Sequence, residues 1–209
     1  MQRSHEDAVH AAAVLEAVHE EAPELAVETL AGLTADAGAA LLVKMGAAAA
    51  GAMATQMAAA EMAARLRCMP PHQGASVVAH MDPTPAWALL ALVAPEHVAA
   101  VFKPLAAEKA AALVERMDVH AGAAVFSLMD AKDAGEIINA APAAPACAVL
   151  GAMADGAVQA ILASLSSKDA GRLLDELDGD RAMAVLSLMS GLRAAEYMGL
   201  MRPEAAGQV

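Results

Sequence analysis

Large apolar residues recur every twelve positions along this chain. Met45, Met57, Met69, Met81, Val93, Leu105, Met117, Met129, Ala141, Met153, Leu165, Leu177, Met189 and Met201 form one column at that spacing. A fixed period marks a repeat architecture, in which each unit is too small to bury its own apolar face and stacks on its neighbours. With the column taken as position twelve, two more apolar columns appear. Position eight runs Leu89, Val101, Leu113, Val125, Ile137, Val149, Ile161, Leu173, Val185, Tyr197, and position nine runs Leu90, Phe102, Val114, Phe126, Ile138, Leu150, Leu162, Leu174, Leu186, Met198. Position five is small, as in Ala86, Ala110, Gly122, Ala134 and Ala170. Positions five, eight, nine and twelve are spaced i, i+3, i+4, i+7, which places them on one stripe of an α-helix. Each unit is therefore expected to be one short amphipathic helix.

The helix boundaries follow from the residues at the start of each unit. Pro23, Pro70, Pro71, Pro83, Pro95, Pro142 and Pro203 stand at position one or two, where proline ends one helix and pre-sets the next. Asp82, Asp118, Asp130 and Asp178 at position one suit N-caps, and acids such as Glu96, Glu108 and Asp180 at position three face the positive end of the helix dipole. A helix of about nine residues is only ~13 Å long and is unstable unless packed. Short turns make consecutive helices antiparallel, so two units form a hairpin and hairpins stack. The predicted fold is all-α: an α-solenoid, wound as a right-handed superhelix, of about sixteen single-helix units over residues 10–201. Residues 1–9 and 202–209 are expected as tails. Arg65 at position eight and Ala54 at position nine mark a looser or hinged stretch around 46–71, and Pro104 and Pro145 are further expected distortions.

Position seven lies nearly opposite the core stripe and yet is mostly alanine, as in Ala88, Ala100, Ala112, Ala124, Ala148, Ala160 and Ala184. Two readings fit. Small residues there could let neighbouring helices approach on a second side, or they could form a smooth apolar groove for a partner helix. Glu136, Arg172 and Glu196 interrupt the column and are the candidate partner-facing residues.

Composition narrows the function classes. A hydrophobic share of 58% supplies a core, but aromatics at 2% force it to be built from Ala, Leu, Val and Met. A formal charge of −12 argues against a nucleic-acid partner, which needs Lys and Arg clusters. The two cysteines, Cys68 and Cys147, are too few for a disulfide framework and read as packing residues in a reducing compartment. No secretory signal and no membrane span of about 20 apolar residues is visible, which points to a cytoplasmic chain with no direct membrane insertion.

Candidate chemistry is sparse. His5 and His10 are five apart, about 140° around a helix, whereas zinc-ligating pairs need i, i+4. No Gly-x-Ser-x-Gly elbow or phosphate-cradling loop occurs. Acid clusters at Glu20, Glu21 and Glu24, and at Asp175, Glu176 and Asp178, read as solvated faces before Mg²⁺ sites. Neither a catalytic residue nor a cofactor nor a metal ligand is assigned, and no enzyme activity is expected.

The stretch MDPTPAWALLALVAPEHVAAVFKPLAAEKAAALVERMD resembles the cytoplasmic N-terminal domain of MgtE-type magnesium transporters. The shared pattern is a turn acid or proline followed by Ala-Ala and a Leu/Val pair, and it covers most of residues 22–201. That resemblance implies a superhelix of short helices. In the family this domain contributes acidic residues that bind regulatory Mg²⁺ against CBS and membrane regions, neither of which occurs here. The expected function is a non-catalytic scaffold that binds other proteins within a larger assembly. A Mg²⁺-responsive regulatory module acting on a separate membrane partner is the alternative. The Ala-rich usage suggests a GC-rich genome, with actinobacteria and green algae both expected sources, and in a green alga such a scaffold would belong to the ciliary axoneme or another cytoskeletal complex.

Overall fold

The computed structural model describes residues 2–202, with side chains from Glu6 onward. All sixteen predicted units are helices, and among the described residues there is no strand. The chain divides into two compact units, Met1–Ala106 and Ala107–Val209. The first holds α1 (Gln2–Glu21), α2 (Pro23–Ala31), α3 (Ala35–Lys44), α4 (Ala47–Gln56), α5 (Ala59–Cys68), α6 (Pro71–Ala79), α7 (Pro83–Leu90) and α8 (Pro95–Phe102). The second holds α9 (Ala107–Val114), α10 (Val119–Phe126), α11 (Ala131–Ala140), α12 (Ala143–Ala152), α13 (Asp155–Ser164), α14 (Ser167–Glu176), α15 (Gly179–Ser187) and α16 (Gly191–Leu200).

The helix starts obey the repeat. From Ala22 to Ser190, each N-cap assigned to α2–α8 and α10–α16 stands at position one. The capping chemistry varies with the residue. The Asp118 carboxylate accepts from the backbone N–H groups of His120 and Ala121, and Asp178 accepts from Asp180. Thr34 and Ser166 cap α3 and α14 in the same way, accepting from Ala37 and Asp169. Asp82, expected to cap α7, makes no such bond, and Pro83 at the next position supplies the fixed φ instead.

Residues 2–9, expected as a tail, lie within the 20-residue α1. Within residues 46–71, α4 and α5 are each continuous helices joined by a turn at Met57 and Ala58. Pro145 does not break α12, because it sits in the first turn where the backbone N–H has no intrahelical acceptor to lose. Pro104 follows the early end of α8 at Phe102.

Within each unit the close backbone neighbour of a helix is the helix two further on, as α3 on α5, α4 on α6, α11 on α13 and α14 on α16. This is the stacking expected of 24-residue hairpins, giving a solenoid-like helical repeat in both units. Position nine is buried in every unit from Leu30 to Leu186. Position six completes the contact. Ala39, Gly51, Ala63, Ala75, Ala99, Ala111, Ala123, Gly135, Cys147 and Gly171 are all buried there, with the larger Trp87 and Gln159 half-buried. The partner is position eleven two units later: a Cβ on Gly51 would lie 2.5 Å from the Cβ of His80, one on Gly135 2.6 Å from the Ser164 hydroxyl, and one on Gly171 3.2 Å from the Cβ of Leu200. Small residues at position six thus set how closely stacked helices approach.

Candidate interaction surface

Position seven is exposed or half-buried along the repeat. Ala88, Ala124, Ala148 and Ala160 are exposed, and Ala100, Ala112 and Ala184 are half-buried. The close approach that could have explained them occurs at position six, one residue earlier on the helix. Position six is mostly small in the sequence too, as in Ala39, Gly51, Ala63, Ala75, Ala99, Ala111, Ala123, Gly135 and Gly171.

Glu136, Arg172 and Glu196 are all exposed, as expected of a partner-facing edge. They do not converge on one another. Arg172 donates to the Asn139 side-chain and backbone oxygens at 2.8 and 3.2 Å, and the Glu196 carboxylate accepts the hydroxyl proton of Ser167. Beside them a shallow groove of about 440 Å³ runs between α12, lined by Ala144, Cys147, Ala148 and Gly151, and the α14–α15 turn, lined by Glu176, Leu177, Asp178 and Arg181.

The two cysteines separate. Cys147 is buried and its thiol points to the Leu173 carbonyl, 3.4 Å away. Burial first, and then the Glu176 charge, pushes its pKa up to about 11 against the pull of Arg172, so it stays protonated and inert at neutral pH. Cys68 is exposed and is not a packing residue. Its thiol is also raised, first by hydrogen bonding to Asp36.

Polar side chains that enter the core do so where helix ends need them. Arg65, expected to loosen its unit, is only 3% exposed. Its guanidinium donates to the carbonyls of Leu30, Ala31 and Leu33 at 2.6, 3.2 and 3.0 Å, satisfying the C-terminal groups of α2. Tyr197 stands at the same repeat position and donates to the Leu162 carbonyl at 3.0 Å, again 35 residues back. His97 and Arg181 share position four and approach the Leu66 and Leu150 carbonyls, each 31 residues back. None of these is a reactive constellation.

The acid cluster at Asp175, Glu176 and Asp178 is engaged in hydrogen bonds and an ion pair. Asp175 accepts the Arg202 backbone N–H at 2.8 Å, Glu176 pairs with the Arg202 guanidinium at 3.0 Å, and Asp178 caps α15. Among the described residues no group of three or more His, Cys, Asp or Glu is placed to hold a metal ion. Among the described residues no helix is long and apolar enough to cross a membrane.

These features are those of a helical-repeat module with a solvent-facing band of small residues. Residues 69–157 match the family described as MgtE intracellular N domain, which is the family suggested by the repeat pattern. The match takes in α6 to α12, under half of the chain, and makes this segment similar to that helical domain family. The same twelve-residue register continues on both sides of it, back to α2 and on to α16. No curated protein and no solved structure matches the chain.

Proposed function

We propose that the chain is a non-catalytic helical-repeat scaffold that holds other proteins within a larger assembly. The observation that carries this reading is the band of exposed small residues at position seven in the second unit, Ala124, Ala148 and Ala160, bounded by the charged Glu136, Arg172 and Glu196. Alanine at a solvated position favours the helix by itself, and a partner helix in addition gains apolar contact there without steric conflict. The charged interruptions set orientation and partner choice more than affinity. A ciliary or other cytoskeletal complex is the finer assignment of the assembly.

Gentle affinity purification of the tagged chain from its own cells, with Ala148→Arg and Ala160→Arg run in parallel, tests the reading. Stoichiometric recovery of a protein complex that both substitutions abolish supports the scaffold; equal recovery with either substitution moves the contact off this band. The family match favours a second reading, a Mg²⁺-responsive module acting on a separate membrane partner. In such a module exposed acids of this chain, such as Glu20, Glu21 and Glu24, would bind Mg²⁺ together with carboxylates of the partner. Recovery of a membrane protein that depends on added Mg²⁺ selects it over the scaffold.

A further inference from the structure

The size of the residue at position six decides where a groove opens between stacked helices. Where it is glycine, as at Gly51, Gly135 and Gly171, position eleven two units later packs directly onto it. Of the stacked pairs within each unit, α2 with α4 is the most loosely packed, followed by α12 with α14. At these two the facing residues are larger, Val27 opposite Gln56 and Cys147 opposite Glu176. Each pair holds its helices apart, and each gap is a groove. The one between α2 and α4 has a volume of about 570 Å³ and is lined by Ala22, Pro23, Glu24, Leu25 and Gln56. Its apolar wall lies open, with Leu25 56% exposed.

The two grooves differ in charge. At the second, Glu176 pairs with Arg202 at 3.0 Å and Arg181 pairs with Asp155. At the first, Glu20, Glu21, Glu24 and Glu28 are all exposed, and among the described residues no base pairs with any of them. Four more acids, Glu6, Asp7, Glu16 and Asp36, fall within residues 6–44, against one Lys, Lys44, and no Arg. Glu24 and Glu28 stand one turn apart on α2 with Leu25 between them.

We infer that the α2–α4 groove docks a basic helical segment of a partner protein, which sets a leucine-sized side chain against Pro23 and Leu25 and carries Lys or Arg a turn to either side, over Glu24 and Glu28. Charge complementarity selects that occupant. An apolar groove alone accepts any apolar side chain, whereas unpaired carboxylates flanking it reject an acidic segment, an anionic membrane and a second copy of this chain, with its net −12. Lys and Arg also fit the apolar wall, because their methylene stems lie along it while the charged heads reach the carboxylates. The groove belongs to the first unit and the position-seven band of Ala124, Ala148 and Ala160 to the second, so this is a separate contact that does not depend on that band.

The test is fluorescence anisotropy of a labelled, helix-forming peptide of about 14 residues, with Leu on one face flanked by Lys, titrated with the full chain at about 0.15 M NaCl. For a contact this small, a Kd on the order of 10 µM is expected. Leu25→Ser and the double variant Glu24→Gln with Glu28→Gln, all at exposed positions and checked by circular dichroism, should each weaken binding about tenfold. A peptide of the same charge with Ser in place of Leu should lose about as much, and Ala148→Arg in the chain should change nothing. Amide shifts on adding the peptide should concentrate in residues 20–29 and around Gln56. Absence of binding overturns the proposal, as does a wild-type affinity kept by Leu25→Ser or by the Ser peptide, which would mean diffuse adsorption to an acidic surface. Equal binding of a peptide with Glu in place of Lys would overturn it by removing the charge selection, and binding that requires added Mg²⁺ would overturn it by assigning these acids to the metal.

Discussion

The regions around Arg65 in the first unit and Tyr197 in the second solve one problem with two chemistries. Both residues stand at position eight, inside the core, and both reach the carbonyl of position nine three helices back. A phenol has one proton to place and finds one acceptor, Leu162. A guanidinium brings a charge and five N–H donors, and it is surrounded by the carbonyls of Leu30, Ala31 and Leu33 together with that of Glu61 at 3.0 Å. Its Nε remains buried without a hydrogen bond. The wider head group also needs room. Gly38 lies where a Cβ would come within 2.5 Å of Arg65 Nε, whereas the equivalent residue below Tyr197 is Ala170, which is fully buried with its methyl in place. The lesson is that a polar residue is tolerated in this core when it points at the negative end of a helix, where a carbonyl that already accepts a backbone N–H, as Leu30 does from Leu33 and Leu162 from Leu165, takes a second donor.

The harshest challenge to that rule is Leu174→Asp. Position nine of α14 faces the shared core and an acid there offers no proton to a carbonyl, so the cost of an unpaired buried charge exceeds about 4 kcal/mol and the second unit should lose its cooperative melting transition. A mutant that melts like the wild type by circular dichroism would mean the helix register is wrong. Next in size is Gly38→Ala, expected to destabilise by about 2 kcal/mol because the added methyl displaces Arg65 from its carbonyls. The same measurement on Gly38→Ala combined with Arg65→Met should show less than the sum of the two single effects, since the clash is then gone. Tyr197→Phe removes one hydrogen bond while keeping the ring, and about 1 kcal/mol of lost stability by urea unfolding is expected. Arg65→Met should cost more than this, because it removes hydrogen bonds to several carbonyls where Tyr197→Phe removes one.

The smallest effect sharpens the comparison by way of a third buried polar group. Cys147 has a folded-state pKa of about 11 against an ordinary value of 9.0, so the folded protein holds the thiol proton over a window in which the unfolded chain releases it. Its contribution is therefore complete below pH 9 and lost as pH rises through about 11, and the alkaline fall of the melting temperature should be shallower in Cys147→Ala. In the native protein at pH 8, Cys147 should resist alkylation at least about tenfold more than in urea, because the thiolate is the nucleophile.

Much of this molecule was legible from spacing alone. A column of Met and Leu every twelve residues, with Pro, Asp, Ser or Thr opening the unit, determined sixteen short helices and their inward stripe. It could do so because a nine-residue helix has one way to hide three or four apolar side chains, and because caps act within a single turn. The candidate residues Glu136, Arg172 and Glu196 were placed at the surface by the same periodicity. Tertiary structure decided what depends on residues two or three helices away. Position six, and not position seven, became the close contact because its small residues lie under position eleven two units on. Arg65 became a clamp on α2 because α2's carbonyls end where its guanidinium arrives, 35 residues removed in sequence. Cys68 and Cys147, alike as letters, parted because one faces Asp36 at the surface and the other the Leu173 carbonyl inside. Local pattern fixes which face of each helix is apolar, whereas the partner of each polar atom follows from how the helices stack.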